Sequence, residues 1–134
     1  MEADGRGGKL ADDADWKRRV ARVRLEIQSL EMIELKILSE VAKGRAPGPQ
    51  TSLCKLLASN LRQDVDLLAV DLYGAAGLQL DFARPLYGDN APEAIHSKGA
   101  QVASARYLNS RAWTIFGGTN EVQAGIIART VLGL

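Results

Sequence analysis

The chain has 134 residues, 46% of them hydrophobic and 25% charged, with 17 basic against 16 acidic side chains and a net charge of +1. That is the size and balance of one globular domain, and it gives no electrostatic case for a nucleic-acid partner. No run of about eighteen apolar residues occurs, so no membrane span is expected.

The first eleven residues are glycine-rich and carry no apolar core segment, so they are expected to be a flexible lead-in rather than a secretory signal. From Asp12 or Asp13 to about Lys43 the pattern is helical. Trp16, Val20, Val23, Ile27, Leu30, Ile37 and Val41 recur in steps of three and four, interrupted at Glu34. A second set, Leu25, Met32, Leu35 and Leu38, widens the apolar face, as for a helix touching more than one neighbour. Glu34 reads as a seam-edge residue that snorkels, or as one past which the seam drifts to Ile33, rather than as a functional carboxylate inside a bundle.

Gly44 to Gln50 reads GRAPGPQ, a clear break. Thr51 or Ser52 is then expected to cap a second helix to about Tyr73, with Leu53, Leu56, Leu57, Leu61, Leu68 and Leu72 on its apolar side. Gly74 to Gly77 ends it, and Leu78 to about Pro92 reads as irregular connection. A third helix is expected from about Ala94 or Ser97 to Phe116, with Val102, Tyr107, Leu108, Trp113 and Ile115 as candidates for burial. The closing stretch, Arg111 to Leu134, breaks at Gly117–Gly118 and resumes as a short helix. Thr119 and Asn120 are both good N-caps, and Gln123 is placed as a capping-box partner of Asn120. Val122, Ile126, Ile127 and Val131 form its apolar stripe, and Gly133 is its stop. Strand signals are nearly absent, so the expected fold is all-α, an antiparallel up-down four-helix bundle over residues 12–134.

Self-sufficient catalytic chemistry is hard to find. His96 is the only histidine and Cys54 the only cysteine. No Glu-x-x-His pair exists for a di-metal site, and one histidine with one cysteine cannot make a zinc site, so no metal is expected. The lone cysteine excludes an internal disulfide and fits a reducing, cytoplasmic compartment. There is no P-loop, and the GAAG at Gly74 follows a helix rather than a strand, so it fails as a dinucleotide fingerprint. A helix start preceded by glycines, as at Thr119, is nonetheless a ready anion site.

The closing TIFGGTNEVQAGIIARTVLGL closely resembles the C-terminal signature of the acyl-CoA dehydrogenases, in which a helix ends, a Gly-Thr turn follows, and a last helix carries Gln and Arg. Upstream, SLCKLLASNLRQDVDLLAVDLYGAAGLQL resembles the family's Ser-x-x-Lys helix, and WKRRVARVRLEIQSLEMIELKIL the long helix before it. The resemblance implies a flavoenzyme that oxidises an acyl-CoA thioester to the trans-2-enoyl form, with FAD as hydride acceptor. It implies only the last part of such an enzyme, and a bundle whose first helix would lie before this chain. The family's members are tetramers in which FAD lies between subunits, so a homo-oligomer is expected.

By motif, Thr119, Asn120 and Glu121 match the turn that contacts FAD. Asp71, Gly74 and Ala75 match a second flavin-contacting segment, although the family commonly has Gln and Gly where Asp71 and Ala75 stand. Phe116, Gly117 and Arg129 match positions on the acyl-CoA side, and Arg6 is a weak match to a further flavin-contacting arginine. The family's catalytic glutamate often stands just before Gly-Thr. Here that position is Gly117, which has no side chain to take a proton. The resemblance therefore implies a chain without its own base. Two alternatives follow: a non-catalytic subunit whose partner subunit carries the glutamate, or a helical interaction module that no longer handles flavin.

Overall fold

A computed structural model describes residues 10–80 and 98–134, the side chain of Lys98 excepted. Every regular element among the described residues is helical. A 3-10 turn at Leu10–Asp12 leads into α1 (Ala14–Ala42), followed by α2 (Gln50–Tyr73), α3 (Lys98–Ser110) and α4 (Asn120–Ile127). Further 3-10 turns follow α2 at Gly74–Leu78 and α3 at Arg111–Thr114, and a wider π-type turn follows α4 at Ala128–Leu132. The lead-in expected through residue 11 thus already turns helical at Leu10. The expectations for Arg6, for most of the Leu78–Pro92 connection, for His96 and for the start of the third helix lie outside the described residues.

The helix ends differ from the sequence reading in instructive ways. Asp13 caps α1, its carboxylate accepting from the Trp16 amide at 2.7 Å. At α2 neither Thr51 nor Ser52 is the cap. The helix starts one residue earlier, at Gln50, behind Pro49, whose fixed φ suits a first turn. Thr51 instead turns its hydroxyl back to the Gly48 carbonyl at 3.0 Å. The third helix does not hold α geometry to Phe116 but tightens at Arg111.

α2 is the hub: α1, α3 and α4 each make their principal contacts with it. α1 is 29 residues long, yet none of its residues is buried. Its half-buried side holds Trp16, Val20, Val23, Leu30, Ile33 and Ile37, most of the periodic seam of the sequence, but Ile27 and Val41 of that seam are exposed, as is Glu34 beside it. Among the described residues the buried apolar set is small: Leu61, Val70, Ala100 and Ala103. Several residues expected in the core, among them Leu108, Trp113 and Ile115, are exposed.

The interior is instead rich in polar groups: Ser52, Ser59, Asp66, Ser104, Ser110 and Gln123 are all buried. Buried polar groups must find partners. Asp66, only 2% exposed, accepts from Arg62 Nε at 2.7 Å one turn before it and pairs with Arg106 Nε of α3 at 3.6 Å. The Arg62 guanidinium also lies 5.8 Å from the centre of the Trp113 ring. Ser104 donates to the Gly77 carbonyl. Gly77 is needed there, because a Cβ would come within 2.6 Å of the Val70 carbonyl oxygen.

Asp66→Ala is expected to lower the unfolding free energy by about 1.5–3 kcal/mol, the range for hydrogen bonds to charged groups, since both arginines can rehydrate. Arg106→Gln should cost clearly less than Arg62→Gln, its contact being longer and more exposed. Urea denaturation of the three variants checks the order.

Candidate functional site

The start of α4 is built by a glycine corner and a capping threonine. Gly117 and Gly118 have φ of +68° and +92°, the left-handed region that glycine enters at least cost. The chain reverses there, and Thr119 enters with extended backbone, φ −65° and ψ 159°. Its hydroxyl accepts from the Val122 amide at 3.3 Å, so Thr119, not Asn120, is the N-cap. The expected pairing of Gln123 with Asn120 gives way to a different use. Gln123 is buried and its Nε2 donates to the Gly117 carbonyl at 3.0 Å, fastening the corner from inside.

Asn120 is committed to the fold. Its Oδ1 accepts from Lys55 Nζ and from Ser59 Oγ, each at 2.9 Å, and its Nδ2 donates to Asn60 Oδ1 at 3.2 Å. Lys55 also reaches the Thr114 carbonyl at 3.4 Å. This cluster pins the first turn of α4 to the first half of α2. In the sequence, Lys55 stands in the Ser-x-x-Lys pattern, while only their polarity on an otherwise leucine-rich helix hints at Ser59 and Asn60. Their partner lies some sixty residues away, and periodicity carries no signal of that pairing.

Glu121 is exposed. Its carboxyl is held below the usual carboxylate range, chiefly by its own backbone amide, then by the Thr119 hydroxyl and more distantly by Lys55. An ionised carboxylate therefore already stands at the positive end of the helix.

The second expected segment sits elsewhere. Asp71 is ion-paired with Arg19 of α1, Gly74 follows with φ +53°, and Ala75 is exposed. Asp71 lies twelve residues beyond Ser59 along α2, roughly 18 Å at 1.5 Å per residue. The fold therefore does not gather the two segments around one compact ligand. Phe116 and Gly117 are exposed beside the corner, and a Cβ at Gly117 would meet nothing within 4 Å. Arg129 is exposed on the closing π-type turn, which ends at Gly133 with φ +71°. Cys54 is half-buried, and burial, with Glu34 nearby, pushes its thiol pKa up, so it suits packing rather than nucleophilic work. Among the described residues no group of three or more His, Cys, Asp or Glu could hold a metal ion, and no helix is long and apolar enough to cross a membrane.

Residues 1–132 match the family model described as acyl-CoA dehydrogenase, C-terminal domain. The chain belongs to this family. Two relatives named acyl-CoA dehydrogenase IpdE1, from Mycolicibacterium smegmatis and Mycobacterium tuberculosis, are each 31% identical over 124 residues, 92% of this chain. The matched region is 26% of the first relative and 28% of the second, so the chain spans about a quarter of the length of each. No solved structure gives a significant match. Within this acyl-CoA dehydrogenase domain, Gly118 and Thr119 form the corner before α4, and Gly117 stands ahead of them.

Two measurements test the corner. Gly117→Ala should cost only the left-handed backbone penalty, about 1–2 kcal/mol. Gly118→Ala should cost more, because its Cβ would also come within 2.7 Å of Gln123 Nε2. Equal losses in urea melts would contradict this geometry. For Glu121, a folded-state pKa below the ordinary 4.5 means its contribution is complete above that value and is lost as the pH falls through the lower folded-state value. Glu121→Gln should therefore reduce the difference in urea midpoint between about pH 6 and about pH 3, two points on either side of that ordinary value.

Proposed function

We propose that this chain is the C-terminal helical domain of an FAD-dependent acyl-CoA dehydrogenase, an enzyme that removes hydrogens from the α and β carbons of an acyl-CoA thioester. The bound flavin supplies the hydride acceptor in that chemistry. The observation that carries the reading is the construction of the Gly117–Glu121 corner. It is a capped helix start held rigidly by Gln123 from inside and by Lys55 and Ser59 through Asn120, with its outer side open.

The residues of the corner suit one part of a dinucleotide better than another. Asn120 is occupied by α2, and Glu121 places a negative charge where a phosphate would sit. The remaining groups, the Glu121 carboxylate and the helix-start backbone, suit a hydroxyl-bearing part such as a ribose, which can donate to a carboxylate. Thr119 acts as the positioning cap. Asp71, Gly74 and Ala75, at the other end of α2, would serve a different region of an extended ligand or a ligand shared with another copy. Phe116 and Arg129 are assigned to the acyl-CoA side, where the Arg129 guanidinium offers a cation to a phosphate or thioester ligand.

No proton abstraction is assigned to Gly117. Nor does Glu121 replace a base there, since its carboxylate is folded onto its own helix start. The α-proton must be taken by a carboxylate supplied from outside this corner. Gly117 also favours a second reading, in which the chain belongs to a non-catalytic subunit and a partner subunit brings the glutamate.

Grafting this chain in place of the corresponding region of the M. smegmatis relative tests the assignment. The chimera is expected to retain FAD. Thr119→Ala and Glu121→Ala should each weaken its flavin affinity on the order of tenfold, the effect of about 1.4 kcal/mol from a lost hydrogen bond. Unchanged affinity in both variants would refute the flavin-contact assignment. The 134-residue chain mixed with FAD and acyl-CoAs should show no flavin bleaching; clear bleaching would overturn the absence of a base.

A further inference from the structure

The double glycine before α4 is where the chain hinges most easily. Among the described residues no backbone hydrogen bond joins the segment before Gly117 to α4. Side chains join them instead. Gln123 ties α4 to the Gly117 carbonyl, at the apex of the corner. The base of the corner is closed from α2. Ser59 and Asn60 reach Asn120, on the outgoing flank only, and Gln63 reaches the Ser110 carbonyl, on the incoming flank only. Of the described side chains of α2, Lys55 alone reaches both flanks.

The half-buried Lys55 ammonium donates to Asn120 Oδ1 at 2.9 Å, in the first residue of α4, and to the Thr114 carbonyl at 3.4 Å, in the last residue of the turn after α3. Residues Ile115 to Thr119 lie between these two acceptors, so one atom closes the loop at its base. An ammonium suits the task, since it carries three N–H donors on a compact centre and its charge strengthens each bond. The two flanks so joined carry residues assigned to different ligands. Phe116, on the acyl-CoA side, stands before the glycines, and Thr119 and Glu121, on the flavin side, stand after them. The Glu121 carboxyl, held low chiefly by its own amide and the Thr119 hydroxyl, also feels the charge of Lys55.

Given the flavin and acyl-CoA assignments above, on which this rests, we propose that Lys55 is a positioning residue that sets the acyl-CoA side of the corner, at Phe116, against its flavin side, at Thr119 and Glu121. Lys55 acts through Thr114 and Asn120 and not by contact with either ligand. Two reacting groups must be held within a narrow range of separation and angle. The atom that fixes the two flanks therefore fixes the relation between the ligands they face. Removing the ammonium frees the flanks to hinge at Gly117 and Gly118 while leaving every assigned ligand-contacting side chain in place.

Amide exchange in the 134-residue chain reads this bridge without any ligand. The Phe116 amide, bonded to the Ala112 carbonyl, reports the incoming flank, and the Gln123 amide, bonded to the Thr119 carbonyl, reports the outgoing one. Lys55→Met should speed exchange at both on the order of tenfold, and Lys55→Arg should restore most of the protection. Asn60→Ala should speed Gln123 alone. Asn60 is exposed, so this second variant keeps the proposal open to refutation even if Lys55→Met does not fold. The Glu121 titration, followed by carbon NMR, should move up in Lys55→Met and stay in place in Asn60→Ala, a response that lost packing would not give. An unchanged Phe116 amide in Lys55→Met, or equal loosening of both flanks by Asn60→Ala, would overturn the bridge. In the chimera with the M. smegmatis relative, Lys55→Met should weaken FAD binding on the order of tenfold, and Lys55→Arg much less. If Thr119→Ala and Glu121→Ala weaken flavin binding and Lys55→Met does not, the positioning role falls and the flavin contact stands. If none of the three changes the affinity, both fall.

Discussion

Two of the three neighbours of α2, namely α3 and α4, are tied to it through side chains that must be satisfied because they are buried, and this requirement organises the domain. With few apolar residues fully enclosed, the hydrophobic effect supplies attraction but little specificity. Register comes from polar contacts of fixed geometry. Asp66 receives Arg62 and Arg106, which fixes α3 against α2. Asn120 receives Lys55 and Ser59, which fixes the start of α4 farther up the same helix. Arg19 meets Asp71 near the far end of α2, orienting α1. A misplaced α3 or α4 would leave at least one buried group without a partner, an outcome costlier than a lost apolar contact.

The candidate site inherits its rigidity from this arrangement. Gln123 and Asn120 lie three positions apart on one short helix and have different tasks, one holding the glycine corner and the other holding α2. What half-buried Thr119 and exposed Glu121 offer is therefore presented on a fixed backbone rather than on a loose loop. A helix as short as α4 would be marginal alone. Its anchorage to α2 comes from the Lys55 cluster, and the corner before it is held by Gln123.

The fold class and the four helices are legible in the hydrophobic periodicity, and the GGTNE stretch announces its corner through residues that tolerate positive φ and cap helices. The boundary errors have local causes. Pro49 displaced Thr51 as the start of α2 because a proline needs no amide partner in a first turn. Asn120 lost the cap to Thr119 because α2 competes for its side chain. The clusters around Asp66 and Asn120 were not legible, since they join residues far apart in sequence and periodicity reports only which face is apolar. The same limit explains the exposed Leu108, Trp113 and Ile115: an apolar residue at helical spacing shows which side it occupies, and not whether a neighbour is there to cover it.

The one-sided attachment of α1 also shapes how the domain comes apart. A long helix with no buried residue is held by a single seam, so its amides should open through local fluctuations well below the free energy of global unfolding. α2, gripped on several sides, should release its amides only when the whole domain unfolds. The molecule thus behaves as a cooperative unit of α2, α3 and α4 carrying a more loosely coupled helix, whose protection from exchange would report directly on whatever lies against its outer side.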